Sequence, residues 1–485
     1  MAGGLIFQKE VRMGTKRALR RRAGFLAAAA ALLSPALLPA QMGDGAAAIG
    51  LTLFFLALLV SEAMPVVVAS LLTVGLMPVM GAAGSFGAAA AGFSHPVVFF
   101  ILASFGIACA LLRVPLPKRA LLRLANLGFL RAKGGEPTVE GLLFAVMAAA
   151  ACVSFFISNV PACAIMMAVA LEVVGIAEKG PRRDSIGKTF MIAVPVATMI
   201  GGIATPASSS LNLLALGILY EHTGISVGFA QWAAVGVPMV ALLLPFAWWL
   251  MVRVYRPAPL PAEAVAAYRR KLAAEIGGKF SRKERAVAAA LGAMLALWVA
   301  SSWVPAVDIF SVTLLGAVFL MLPGVGVVSQ KQFLESVNWD VVFISGAVLS
   351  LAAAFAGSGA GAWLSGGFAA LDLRLPLPLL VGAAALAAFA ALLVFTSAPA
   401  LISILAAPYI AAALAAGAPP QYLMIALAIC AGNCYLLPLD TVQLLTYSKG
   451  YYRMSDMARS TVFLQLAIVF LLSLWLPAAG RALGF

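Results

Sequence analysis

The sequence predicts an all-α polytopic membrane protein, about eleven transmembrane helices plus two re-entrant hairpins arranged as inverted repeats. Three observations lead there. Hydrophobic residues make up 63% of the 485 residues and charged residues only 10%, whereas a soluble domain carries about 25% charged residues to cover its surface. Basic residues gather in the short segments between apolar runs. Two apolar runs, in corresponding positions of the two halves, are broken by polar residues and proline.

The mean hydropathy of +1.04 is carried by continuous apolar runs, not by alternating ones, which excludes a porin-like barrel. The net charge is +14, with the clusters at 9–22, 113–133, 179–188, 253–285 and 449–459. Basic residues confined to loops set membrane topology and imply no nucleic-acid partner. The cysteines Cys109, Cys152, Cys163, Cys430 and Cys434 all lie in apolar stretches without metal-ligand spacing, and read as small packing residues. The N-terminal KRALRRRAGFLAAAAALLSPALLPAQ resembles a signal peptide. A retained first span is preferred, because its removal inverts the sidedness of every later loop.

Apolar runs at 24–40, 46–61, 63–80 and 96–112 read as spans. The run 140–173 is interrupted at Ser158, Asn159 and Pro161, and 189–204 and 211–220 flank the polar TPASSSLN. The span 229–252 ends in Trp248 and Trp249 at an interface. After the basic segment 253–285 come 286–303, 309–323 and 340–357, then 377–413, interrupted at Thr396, Ser397 and Pro399. Finally 421–436 and 442–448 flank LPLD, and 458–477 closes the chain. FSHPVVFFILASFGIACALL (93–112) pairs with VNWDVVFISGAVLSLAAAFA (337–356), FFISNVPA with LVFTSAPA, and GGIATPASSSLNLL with GNCYLLPLDTVQLL. Broken segments in matching positions of two halves point to the binding site of a transporter.

With the interrupted runs as re-entrant hairpins and the N-terminus cytoplasmic, all five basic clusters face the cytoplasm, and only Arg374 and Arg481 fall outside. The hairpins then enter from opposite faces. A plain span in place of either hairpin would put later basic loops outside. The segmentation expected is 1–23, a basic cytoplasmic N-terminus; 24–134, scaffold helices of the first repeat; and 135–252, its hairpin and broken helix. The cytoplasmic basic linker 253–285 follows, then 286–376, the second scaffold, and 377–485, the second hairpin and broken helix.

Broken helices survive in hydrocarbon only where they line a cavity or bind something. At a hairpin tip, free N–H groups suit an anion, while free carbonyls with Ser and Asn oxygens suit a hard cation such as Na⁺. Ser154 lies one turn before Ser158 and can share its site, and Gly201 and Gly202 would let backbone carbonyls approach it from the facing broken helix. No Lys or Arg stands in these segments. An anion there must be held by hydroxyls, amides, helix N-termini and a co-bound cation.

The chain resembles the divalent anion/sodium symporter (DASS) family of dicarboxylate, citrate and sulfate carriers, from SEAMPVVVASLLTVGLMPVMG (61–81) to GYYRMSDMARSTVFLQL at the C-terminus. The family's duplicated Ser-Asn-Thr tips match SNV at 158–160 and TSAP at 396–399. Its G-[ST]-P-P-N loop matches Ser208, Ser209, Ser210, Leu211 and Asn212, and its second such loop falls on Asp440, Thr441, Val442 and Gln443. The resemblance implies a dimerising scaffold and a transport domain that moves as an elevator. It implies an anion held by Ser158, Asn159, Ser209, Asn212, Thr396, Ser397 and Thr441. It implies Na⁺ at Ser154, Ser158, Asn159 and the Gly202 backbone; Ser397, Asn433 and Asp440 are the candidates for a further cation, and no other cofactor is expected.

The chain departs from that pattern. Val160 replaces the first Thr, Ala398 the second Asn and Pro399 the second Thr, so the second tip keeps Ser397 and Thr396. Asp440 then stands as a substitute Na⁺ ligand, a titrating group that couples H⁺, or a cap for the broken helix. Glu62, Asp340, His95, His222 and Glu172 read as residues of the membrane borders.

The reading is a secondary carrier of small divalent anions, Na⁺-coupled, in a bacterial-type inner membrane and forming a homodimer amid lipid. The alternatives are an anion exchanger, an H⁺-coupled carrier, or a channel. No nucleophile with a base, metal cluster or P-loop supports an enzyme or an ATP-driven pump.

Overall fold

The structure, a computed structural model, describes residues 22–33, 35, 44–61, 63–127, 135, 137–177, 180–304, 306–358, 375–392, 398–436 and 440–484. Every regular element among them is a helix, as lipid requires of a chain that must satisfy its own backbone. The first half runs α1 Arg22–Leu33, α2 Asp44–Ser61, α3 Val66–Val79, α4 Phe86–Ala90, α5 Pro96–Leu112 and α6 Leu116–Ala125. It continues with α7 Val139–Ser154, α8 Asn159–Val174, α9 Pro181–Gly201, α10 Ser210–Thr223 and α11 Phe229–Tyr255. The second half runs α12 Ala262–Ile276, α13 Arg282–Ala300, α14 Ile309–Met321, α15 Gln330–Ser336 and α16 Trp339–Gly357. Then follow α17 Leu377–Leu392, α18 Ala398–Ala415, α19 Gln421–Ala431, α20 Thr441–Tyr447 and α21 Met454–Leu483.

Four helices, α11, α16, α18 and α21, are long and apolar enough to cross a membrane alone, and the pair Phe86–Ser94 with Pro96–Leu112, bent by 41°, makes a fifth candidate. The other apolar helices are shorter, and several belong to the interrupted runs. The 16-residue α7 and α8 reach about 24 Å each, short of the roughly 30 Å hydrocarbon core. They pack on each other and both on α9, as a folded-back pair does. In the second half α17 and α18 likewise pack on each other and on α19. The hairpin tip expected there, with Thr396 and Ser397, lies outside the described residues, and α18 alone has the length of a span.

The repeat in the sequence reappears as reciprocal packing. Helix α5 lies on α14 and α16 on α3; the turn after α4 lies on α16, and α15 on α5. Close approach is built in at both places. The Gly92 N–H donates to Ser350 Oγ at 3.1 Å, and a Cβ on Gly92 would stand 2.3 Å from the Gly346 carbonyl oxygen. Phe93 covers Gly346, while Phe333 covers Gly106. Large apolar side chains remain exposed on the outside of the bundle, among them Leu242, Phe463, Leu466, Phe470 and Leu474, as lipid-facing surfaces are.

The basic segments expected as loops are partly helical, and their charges are employed. Helix α6 carries Lys118, whose Nζ pairs with Glu172 Oε1 at 2.9 Å and Glu275 Oε1 at 2.6 Å, tying α6 to α8 and α12. Glu172, expected to face headgroups, is thus held in an ion pair. Arg119 Nε pairs with Glu284 Oε1 at 2.6 Å, and its other nitrogens donate to the carbonyls of Ile276, Gly277 and Lys279. Its guanidinium lies 4.6 Å from the centre of the Phe280 ring. The hydrogen bond from Arg119 holds the Glu284 carboxyl below the usual carboxylate range. Removing one partner of a buried pair costs about 3–5 kcal/mol, and the Glu284 side chain is 2% exposed. Arg119→Ala should therefore lower the unfolding temperature of the detergent-solubilised protein markedly. Because the Glu284 pKa is depressed in the folded state, the pair's contribution is full above the ordinary glutamate pKa and fades as pH falls. The deficit of the variant should shrink on acidification.

Candidate functional site

Several helix starts converge on one cavity of about 470 Å³. Its wall contains Ser158, Asn159, Val160 and Pro161 at the start of α8, Ser209, Ser210 and Leu211 at the start of α10, and Ala398 and Pro399 at the start of α18. Asp440, Thr441 and Val442 contribute from the second break, and Phe105, Asn338, Asp340, Val341 and Ile344 face them from α5 and α16. Proline in the first turn of a helix sacrifices an N–H that would have no intrahelical partner anyway. Pro161 and Pro399 are therefore compatible with helices that begin abruptly at the cavity. Each such N-terminus presents unpaired N–H groups and the positive end of its dipole.

The first tip is built as follows. Ser158 is the N-cap of α8 with φ −55° and ψ 150°, and its side chain makes no capping bond, which leaves the hydroxyl for the cavity. Behind it, Ser154 Oγ donates to Asn159 Oδ1 at 2.9 Å, and Ser154 is fully buried. The Asn159 amide lies against Gly202, where a Cβ would stand 2.4 Å from its Oδ1 and 2.9 Å from its Nδ2. A Cβ on Gly201 would meet the Ala151 carbonyl oxygen at 2.6 Å and Cα at 2.7 Å. The two adjacent glycines thus set how closely α9 approaches the hairpin.

The first break is held by its own side chains. Gly202 C=O accepts from Ser208 Oγ and from Asn212 Nδ2, each at 2.8 Å, and Asn212 Nδ2 also donates to Thr205 C=O at 3.0 Å. Trp232 Nε1 donates to Ile203 C=O at 2.9 Å. Ser209 caps α10 by accepting the Leu211 N–H at 3.3 Å. These bonds give the irregular backbone the partners that hydrocarbon cannot supply.

The second break is stapled differently. Asn433 Nδ2 donates to Ile429 C=O at 2.8 Å, and its Oδ1 accepts from the Tyr435 hydroxyl. Thr461 Oγ1 donates to Tyr435 C=O at 2.9 Å, and Gln443 Nε2 to Cys434 C=O. Asp440 caps α20, its Oδ1 accepting the Val442 N–H at 2.8 Å.

Of the residues expected from the sequence, Ser158, Asn159, Ser209, Asp440 and Thr441 meet in the cavity wall. Ser154 stands behind it, bonded to Asn159, Gly202 lies against the Asn159 amide, and Asn212 donates to the Gly202 carbonyl. Asn433 is buried and paired with Tyr435, and Thr396 and Ser397 lie outside the described residues. Ser210, Asn338 and Asp340 were missed as cavity residues. Asp340, expected at the membrane border, opens onto the cavity because α15 and the start of α16 lie across α5. His95 Nδ1 caps α5 at Val97 N (3.2 Å), and His222 Nδ1 lies 2.9 Å from Ile218 C=O, so both rings hydrogen-bond at the ends of helices.

The profile described as the sodium:sulfate symporter transmembrane region matches residues 20–484. The chain belongs to that family. The resemblance seen in the hairpin tips and loops is therefore a family relationship, and members of the sodium:sulfate symporter family are secondary transporters, not enzymes. Among its relatives, a Cupriavidus necator protein described only as a membrane protein is 26% identical over 361 residues, 70% of this chain and 68% of its own length. The sodium-dependent dicarboxylate transporter SdcS of Staphylococcus saprophyticus is 24% identical over 431 residues, covering 83% of this chain and 80% of its own. Among solved structures, the YdaH transporter of Alcanivorax borkumensis aligns at a TM-score of 0.56 and 15% identity, over 80% of this chain and 87% of its own. That likeness speaks for the fold. The chain is an integral, multi-pass membrane transporter of the symporter family, and its substrate is a small anion.

Proposed function

We propose that this protein is a Na⁺-coupled symporter of small divalent anions of the dicarboxylate, citrate or sulfate class, acting as a homodimer in the inner membrane with its N-terminus in the cytoplasm. One observation carries the reading: the starts of α8, α10 and α18 converge on a cavity with no Lys, Arg or His among the described residues of its wall. Helix N-termini and hydroxyls attract an anion there. Ser154 Oγ and Asn159 Oδ1 offer oxygen to a hard cation just behind the tip. Gly202 C=O already accepts two hydrogen bonds, so the glycine serves this cation site by its missing side chain. A cation bound behind the tip offsets the charge of the anion in front of it, which is a physical basis for coupling.

Leu112, Ser336 and Asn338 belong to the cavity wall, close in sequence to the helix ends that carry Arg113 and Lys118. With those clusters cytoplasmic, the conformation faces inward. Transport then consists of an elevator movement of α7–α10 and α17–α20 against α3, α5, α14 and α16. A second reading, H⁺ coupling or exchange, is favoured by one feature only. The second tip presents Ala398 and Pro399, and a carboxylate, Asp440, stands beside it.

The test is uptake into proteoliposomes with Na⁺ and pH gradients imposed separately, across succinate, malate, citrate, aspartate and sulfate. Accumulation driven by an inward Na⁺ gradient is expected. Strict exchange that ignores both gradients would overturn the symport reading and establish the exchanger.

A further inference from the structure

The cavity proposed to receive a dianion has a negative wall. Asp340 and Asp440 are the only charged side chains among its described residues. Asp440 does cap α20, but capping occupies Oδ1 alone, and no described residue bonds Oδ2. Asparagine or serine would cap as well without a charge. A carboxylate at this depth is costly unless something positive meets it. Asp340, exposed at the start of α16, also lines the cavity and repels a dianion further.

We infer that the substrate is an amino dicarboxylate, whose ammonium group pairs with Asp440 while its carboxylates take the hydroxyls and helix N-termini of Ser158, Ser209 and Ser210. This rests on the transport reading above and narrows it. Such a molecule brings its own positive charge to the second half-site, where Ala398 and Pro399 offer no polar side chain. The pairing also explains why the two half-sites differ. The first presents an amide and hydroxyls without a charge, suited to a carboxylate with its Na⁺; the second adds an acid beside Thr441, suited to an amine. A charge-assisted hydrogen bond is both shorter and stronger than a neutral one, so Asp440 discriminates for the ammonium and against an unsubstituted dianion.

The experiment compares radiolabelled aspartate and succinate in the same proteoliposome assay under an inward Na⁺ gradient, with wild-type protein and Asp440→Asn. Asparagine keeps the α20 cap, and a melting curve in detergent checks that the variant is folded. Wild-type protein should prefer aspartate, and the aspartate-to-succinate uptake ratio should fall about tenfold in Asp440→Asn. Succinate uptake that aspartate neither matches nor inhibits would overturn the inference while leaving the transport reading intact. An unchanged ratio in a folded Asp440→Asn would overturn it as well. If no anion of the panel is transported, the transport reading itself falls.

Discussion

Replacing Gly201 by alanine should abolish transport and destabilise the protein together. The added Cβ would lie 2.6 Å from the Ala151 carbonyl oxygen and 2.7 Å from its Cα, and backbone atoms have no rotamer by which to move aside. Helix α7 must shift off α9, a strain of about 1–3 kcal/mol in a packed interior. The shift displaces the tip at Ser158 and Asn159. A misplacement of about 1 Å typically costs some hundredfold in function, so uptake should fall by at least that order. Gly202→Ala is the instructive companion. Its Cβ meets the Asn159 amide, a side chain that can rotate, so stability should fall less while uptake is lost nearly as fully. Uptake and melting temperature measured on both variants separate these effects. Wild-type uptake in either variant would contradict the close contact between the hairpin and the broken helix.

Asn159→Ala should be the second large effect. It removes the oxygen that accepts from Ser154 Oγ and leaves a buried hydroxyl unpaired, a loss of about 1–3 kcal/mol. If Asn159 Oδ1 holds the coupling cation, the Na⁺ concentration giving half-maximal uptake should rise more than tenfold, about 1.4 kcal/mol or more. Structural damage alone would lower the maximal rate without moving that concentration. An unaltered Na⁺ dependence in a folded Asn159→Ala variant would remove Asn159 from the cation site.

Much of the site was legible in the sequence because breaks in apolar runs are conspicuous. Ser158-Asn159-Pro161 stood out against their neighbours, and the structure ends α7 at Ser154 and begins α8 at Asn159. Gly201 and Gly202 were readable for the same reason, since close approach of backbones demands glycine. The network from Ser208 and Asn212 to the Gly202 carbonyl was not readable, because side-chain direction in an irregular loop follows no period. That Asp340, read as a border residue, also lines the cavity was not legible, for a physical reason. Hydropathy puts a charge at the end of a span on the membrane border, and only packing of α15 and α16 on α5 shows that this end also lines the cavity. The helices α6 and α12 were hidden in segments whose charges suggested loops. Their stability comes from tertiary partners such as Glu284 and Phe280 around Arg119, not from an apolar run.

The most direct test of a site that holds an anion without a basic side chain is ligand-induced stabilisation of the purified protein. The melting temperature should be measured with each dicarboxylate or sulfate in NaCl and in choline chloride at equal ionic strength. An anion that binds through helix N-termini and a co-bound cation should raise the melting temperature in NaCl and leave it unmoved in choline chloride, with the increase following the logarithm of ligand concentration. Equal stabilisation in both salts would contradict the cation-dependent anion site.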